Sequence, residues 1–124
     1  MITRIDKVNL FVNSQDEAKA FWTQKIGFVV TAEQPMGPDM TWLEVAPTGE
    51  NMTSLVLYSK ELMLKQHPEV VHHPALILAT DDAETEWQRL KDNGVEVTDV
   101  QTMPFGKLFS FKDNDGNSYM VASY

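Results

Sequence analysis

The stretch VVHHPALILATDD, residues 70–82, sets His72 and His73 side by side at the mouth of an apolar run. Imidazoles bind metal ions and move protons near neutral pH, so this pair is the first candidate for chemistry. The third histidine, His67, stands beside Pro68, and neither H-x₃-H nor H-E-x-x-H spacing occurs on a helix. HPALILAT reads as a strand, where neighbouring side chains point to opposite faces, so the two rings do not converge on one ion. Asp81, Asp82 and Glu84 follow, but they sit at a helix start, where negative charge is expected. The reading is therefore no metal and no other cofactor. His73 remains as a single polar group, either hydrogen-bonded to a backbone carbonyl or acting as acid or base on a bound molecule.

Other residues carry recognition chemistry rather than catalysis. Trp42, in MTWLEVA, shares a strand face with Glu44 and could stack on a planar ligand or simply fill space. Tyr58 lies with Val56 on one face of LVLYS and offers a hydroxyl. Met52, Met63, Met103 and Met120 give adaptable surface or ordinary core filling. Trp22 and Trp87 fall on helix faces at core spacing and are read as structural. No Gly-rich phosphate loop, nucleophile elbow or dinucleotide fingerprint is present.

The elements that must position these residues follow from periodicity. RIDKVNLFV, residues 4–12, alternates, with Ile5, Lys7, Asn9 and Phe11 on one face and Val8, Leu10 and Val12 on the other. In SQDEAKAFWTQKIGF, Ser14 and Glu17 form a capping box and Gly27 ends the helix. FVVTAEQ, MTWLEVAP and TSLVLYS then read as strands split by PMGPD and TGENM turns. The second half repeats this order. HPALILAT is a strand, Asp81 and Glu84 form a second capping box, ETEWQRLKDNG is a helix ending at Gly94, and VEVTDVQ, KLFSFKD and NSYMVAS are strands.

Sliding one half over the other by 66 residues pairs Val8 with Pro74, Leu10 with Leu76, Val12 with Leu78, Asp16 with Asp82, and Phe21 with Trp87. The same offset pairs Lys7 with His73. The chain is thus one α+β domain over residues 1–124, built as βαβββ twice. Module one spans about residues 1–60, a linker about 61–71 that breaks at His67-Pro68, and module two about 72–124.

Composition narrows the function classes. The 124 residues are 43% hydrophobic with no cysteine, enough for one real core without thiolate chemistry or disulfides. A net charge of −8 with no Lys/Arg cluster repels phosphate backbones, so nucleic acid is not an expected partner. No apolar run approaches the ~18 residues of a membrane span, and the protein is expected to be soluble and cytoplasmic, with no membrane partner.

KVNLFVNSQDEAKAFWTQKIGF and FKDNDGNSYMVAS resemble the opening strand-helix and closing hairpin of the vicinal oxygen chelate superfamily, which includes glyoxalase I, bleomycin-resistance proteins and extradiol dioxygenases. The resemblance implies two βαβββ modules forming a cup-like, mostly antiparallel sheet with helices on the outer face. It also implies four metal-ligand positions, which fall here at Lys7, Val56, His73 and Met120. Three of these do not suit a hard divalent ion. A lysine ammonium has no lone pair, valine donates nothing, and a thioether is soft.

The same resemblance implies a cavity rimmed by the Met103–Gly106 loop, so Phe105 becomes a candidate wall. The ligand-binding set is then Lys7, Asn9, Trp42, Val56, Tyr58, His73, Phe105 and Met120. A homodimer is implied as well. The leading expectation is a metal-independent protein that sequesters or senses a small organic molecule in the cup. The alternative is a lyase, isomerase or dioxygenase-like enzyme in which His73 is the acid or base and Lys7 holds a carboxylate or enolate. A third possibility is an interaction module whose cups are filled by their own side chains.

Overall fold

The computed structural model describes residues 1–124 and is mixed α+β, with eight strands in two four-stranded sheets. The chain divides into two compact units, Met1–Pro74 and Ala75–Tyr124. No helix is long and apolar enough to cross a membrane.

The first unit runs β1 (Lys7–Val12), α1 (Gln15–Ala20) with a π-helical continuation (Phe21–Ile26), β2 (Val29–Pro35), β3 (Thr41–Ala46), β4 (Ser54–Ser59) and α2 (Lys60–Gln66). Its sheet has the order β1-β4-β3-β2, with β1 parallel to β4 and the remaining pairs antiparallel. The Ser14 Oγ accepts the Glu17 N–H at 3.2 Å and starts α1. Gly27, at φ 94°, closes the helical run in a conformation that strongly favours glycine. Strand alternation then divides the sheet. Leu10, Val12, Leu43, Val45, Leu55 and Leu57 are all 5% exposed or less. They form the core together with Ala18, Phe21 and Trp22 from the helical run. Each buried Val, Leu or Phe side chain among them contributes roughly 1.5–3 kcal/mol by leaving water.

Pairing between β3 and β4 covers only Glu44↔Val56 and Val45↔Leu55. Beyond that point a side chain bridges the strands. The Gln15 amide nitrogen donates to the carbonyls of Thr41 at 2.7 Å and Leu57 at 2.8 Å. Backbone acceptors that would otherwise lack ladder partners are satisfied from the first turn of α1.

The second unit runs β5 (Ile77–Ala79), α3 (Ala83–Asp92), β6 (Gln101–Met103), β7 (Gly106–Lys112) and β8 (Ser118–Ser123), in the order β5-β8-β7-β6. Again the first strand is parallel to the last, so the unit is a second βαβββ module. Phe109, Phe111, Tyr119 and Val121 form its buried face with Leu90 of α3. The DNDGN turn is fixed by Asp113. One carboxylate oxygen accepts the N–H groups of Asp115 (2.9 Å) and Asn117 (3.0 Å), and the other accepts the Tyr119 hydroxyl at 2.5 Å.

Four local expectations are corrected. The strand read at HPALILAT is only Ile77–Ala79, and His72 and His73 precede it in irregular chain. Pro74 has no N–H for a ladder, so pairing begins only where the Leu76 carbonyl accepts the Met120 N–H. The second helix is capped by Asp82 rather than Asp81, its carboxylate accepting from Glu84 N–H and Thr85 N–H. VEVTDVQ is not a continuous strand. Val97 bridges Phe111 alone, and the Thr98 hydroxyl takes the Ser110 N–H at 2.9 Å. Trp87 is only half-buried; its indole N–H donates to the Thr98 carbonyl and the Lys91 ammonium lies 4.7 Å over its ring.

Candidate functional site

In-register residues of neighbouring strands share a sheet face. The pairs Lys7↔Ser54, Asn9↔Val56, Phe11↔Tyr58 and Glu44↔Val56 therefore collect Lys7, Asn9, Phe11, Glu44, Val56 and Tyr58 on the face opposite the apolar core. Trp42, two residues before Glu44, joins them. Five residues singled out from sequence, Lys7, Asn9, Trp42, Val56 and Tyr58, thus share one surface. Val56 is fully buried as its floor, Trp42 and Tyr58 are half-buried, and Lys7 and Asn9 are exposed. Phe11 and Tyr58 meet edge to face, with centroids 6.2 Å apart. The Tyr58 hydroxyl reaches the Gln66 side chain of α2.

Glu44 is the centre of this surface, and sequence reasoning left it out of the site. It is only 7% exposed, although it is a carboxylate on an open sheet face. One oxygen accepts the Trp42 indole N–H at 2.6 Å and the other pairs with the Lys7 ammonium at 3.2 Å. Lys7 also holds Asp6 at 3.0 Å, and Asp6 holds Arg4 at 2.9 Å. The Asp6 hydrogen bond, followed by that of Glu44, raises the Lys7 pKa, while Lys7 holds the Asp6 carboxyl below its usual range. The available signal was a lone acid between Leu43 and Val45 in an otherwise apolar strand. A charge at such a position is retained only with partners.

The remaining candidates lie elsewhere. His72 is exposed, and its ring N–H donates to the Glu69 carbonyl at 2.8 Å. His73 is exposed and off the strands, so it does not occupy the strand face expected of it. Phe105 and Met120 belong to the second unit. Phe105 is exposed in the β6–β7 turn against the Tyr124 ring, and Met120 pairs with Ile77 on the face opposite the second core.

The residues at positions 7, 56, 73 and 120 do not fit a divalent ion. The carboxylate in reach of the sheet face, Glu44, already serves an ammonium and an indole N–H, and no three His, Cys, Asp or Glu side chains converge anywhere.

Two βαβββ modules, each with a helix packed on the core side of its sheet, follow the plan of the vicinal oxygen chelate class. Residues 4–121 match the Glyoxalase/Bleomycin resistance protein/Dioxygenase superfamily, and the chain belongs to it. It is 38% identical over 122 residues to the uncharacterized protein YetH of Bacillus subtilis (strain 168), covering 98% of each chain. TnmS3, an antibiotic binding protein from Streptomyces sp. CB03234, superposes with a TM-score of 0.82 at 32% identity, over 98% of this chain and 96% of that one. A glyoxalase/bleomycin resistance protein from the same organism gives a TM-score of 0.77 at 32% identity, over 97% and 100%.

Proposed function

We propose that this chain is a metal-independent binding protein that holds a small organic molecule against the Lys7–Glu44–Trp42 face of its first unit. The observation that carries the reading is the buried Glu44 carboxylate, bonded to an indole on one side and an ammonium on the other. That trio turns a position where a metal ligand would be needed into a preformed polar recognition element beside aromatic rings. The likeness to TnmS3, an antibiotic binding protein, supports a small-molecule ligand of antibiotic type. A homodimer belongs to the same proposal. Ile77, 60% exposed beside Met120 on the second sheet, is apolar area that a second copy would cover.

The test is a titration of chelator-treated protein with metal-free bleomycin and with the planar dye proflavine, read by tryptophan fluorescence. Saturable quenching that disappears in Trp42→Phe and survives in His73→Ala is the expected result. Quenching that follows Trp87 instead, or appears only with added metal, would overturn the reading. Catalytic turnover lost in His73→Ala would transfer the role to the enzyme alternative. Light scattering of the same sample tests the dimer.

A further inference from the structure

Glu44 and Lys7 differ in how firmly they are held. Glu44 sits in the middle of β3, is only 7% exposed, and has one carboxylate oxygen tied to the Trp42 indole N–H of the same strand at 2.6 Å. Lys7 is the first residue of β1, and its side chain remains 38% exposed. It also has a second carboxylate, Asp6, at 3.0 Å. A lysine on a four-carbon stem can therefore leave Glu44 and keep an ion pair with Asp6, whereas Glu44 stays bonded to Trp42. The site is a fixed, mostly buried anion with an exchangeable internal cation. The Trp42 indole is tied to the same carboxylate at 2.6 Å, which orients an aromatic surface directly beside it.

Resting on the binding function proposed above, we infer that the ligand is a planar aromatic cation whose charged N–H donor replaces the Lys7 ammonium at Glu44 while its ring system lies on Trp42. An anionic ligand is disfavoured on the same geometry. Lys7 already faces two carboxylates, and the chain carries a net charge of −8. A cation gains a charge-assisted hydrogen bond to an acceptor that folding has already largely desolvated, and Lys7 retains Asp6. Phe11 and Tyr58, edge to face on the same sheet surface, add apolar area for a ligand larger than one ring.

Two dyes of similar shape separate charge from stacking: proflavine, cationic at neutral pH, and acridone, neutral. The 124-residue chain is expected to bind proflavine about tenfold or more tighter than acridone, the scale of one charge-assisted contact. Glu44→Gln keeps an acceptor for the Trp42 N–H and should bring the ratio of the two affinities close to one. Lys7→Met removes the internal competitor and should tighten proflavine by several-fold, which provides a test even where a Glu44 variant folds poorly. Equal binding of the two dyes, a ratio unchanged in Glu44→Gln, or weaker proflavine binding in Lys7→Met would overturn this inference and leave the binding function standing. Proflavine binding that depends on Trp87, which lines a surface depression on α3 with Glu84, Asp92 and Asp99, would overturn it too. If bleomycin and both dyes all fail to bind, the binding function falls, and this inference with it.

Discussion

Trp42 and Glu44 lie two residues apart on β3, and the indole N–H of the first donates to the carboxylate of the second at 2.6 Å. Their shared face makes this contact possible, and the burial of Glu44 makes it consequential. Glu44→Ala leaves the indole donor and the Lys7 ammonium without their acceptor, and should lower stability by about 1–3 kcal/mol. Glu44→Gln preserves the acceptor and should cost less. Urea unfolding of the two variants decides it; equal losses would mean that the Trp42 bond is not what holds Glu44 in place.

Stability should fall at both pH extremes, for separate reasons. Hydrogen bonds from the Thr85 and Glu84 backbone hold the Asp82 carboxyl below its ordinary value of 3.8, and Lys7 does the same to Asp6. A lowered carboxylate pKa contributes stability above the unfolded value, and that contribution disappears as pH falls through the folded one. Lys7 is raised above its ordinary 10.5 by Asp6 and Glu44. Its contribution is complete below that value and disappears as pH rises through the folded one. Melting temperature against pH should show a shallower acid limb in Asp82→Asn, which retains a capping side chain, and a shallower alkaline limb in Lys7→Met. Unchanged limbs in both variants would refute these assignments.

The two-module plan was legible because it depends on periodicity and helix stops. Alternation in RIDKVNLFV and the Ser14 and Gly27 signals correspond to β1, the start of α1 and the end of its π-helical continuation. The failures came where a single residue overrides the pattern. Pro74 delays β5 past the two histidines, and the Thr98 hydroxyl substitutes for a ladder partner where a strand was expected. Both are local chemistry that an alternating pattern does not register. Glu44 was missed because its value depends on three strands. Only the register linking β1, β4 and β3 brings Lys7 within reach of it. Gln15 is similar; nothing in its own neighbourhood announces that it bridges Thr41 and Leu57.

The Asp113–Tyr119 pair should be the most strongly coupled contact in the second unit. Tyr119 is 1% exposed, and burial followed by the hydrogen bond to Asp113 pushes its hydroxyl pKa far upward, so it stays protonated and donates to Asp113. Tyr119→Phe should cost about 1–2 kcal/mol. Asp113→Ala also strips the acceptor from Asp115 and Asn117 and should cost about 2–4 kcal/mol. A double-mutant cycle should then return a coupling of about 1 kcal/mol or more. Additive effects would mean that Asp113 acts through the turn alone.

Gly106, where the β6–β7 turn enters β7, is required by close approach as well as by backbone conformation. Its φ is 153°, and a Cβ at this position would collide with the Ser123 carbonyl oxygen. Gly37 provides the control, since its φ is 100° but nothing stands within 4 Å of where a Cβ would lie. Gly37→Ala should therefore cost only the strain of a left-handed alanine, about 1–2 kcal/mol. Gly106→Ala adds a backbone clash that the turn or the chain end must relieve, and should cost about 2–4 kcal/mol. Because Phe105 packs against Tyr124 beside this turn, the larger loss should be accompanied by greater proteolytic sensitivity at the C-terminal strand. Equal destabilisation of the two variants would show that β8 does not press on Gly106.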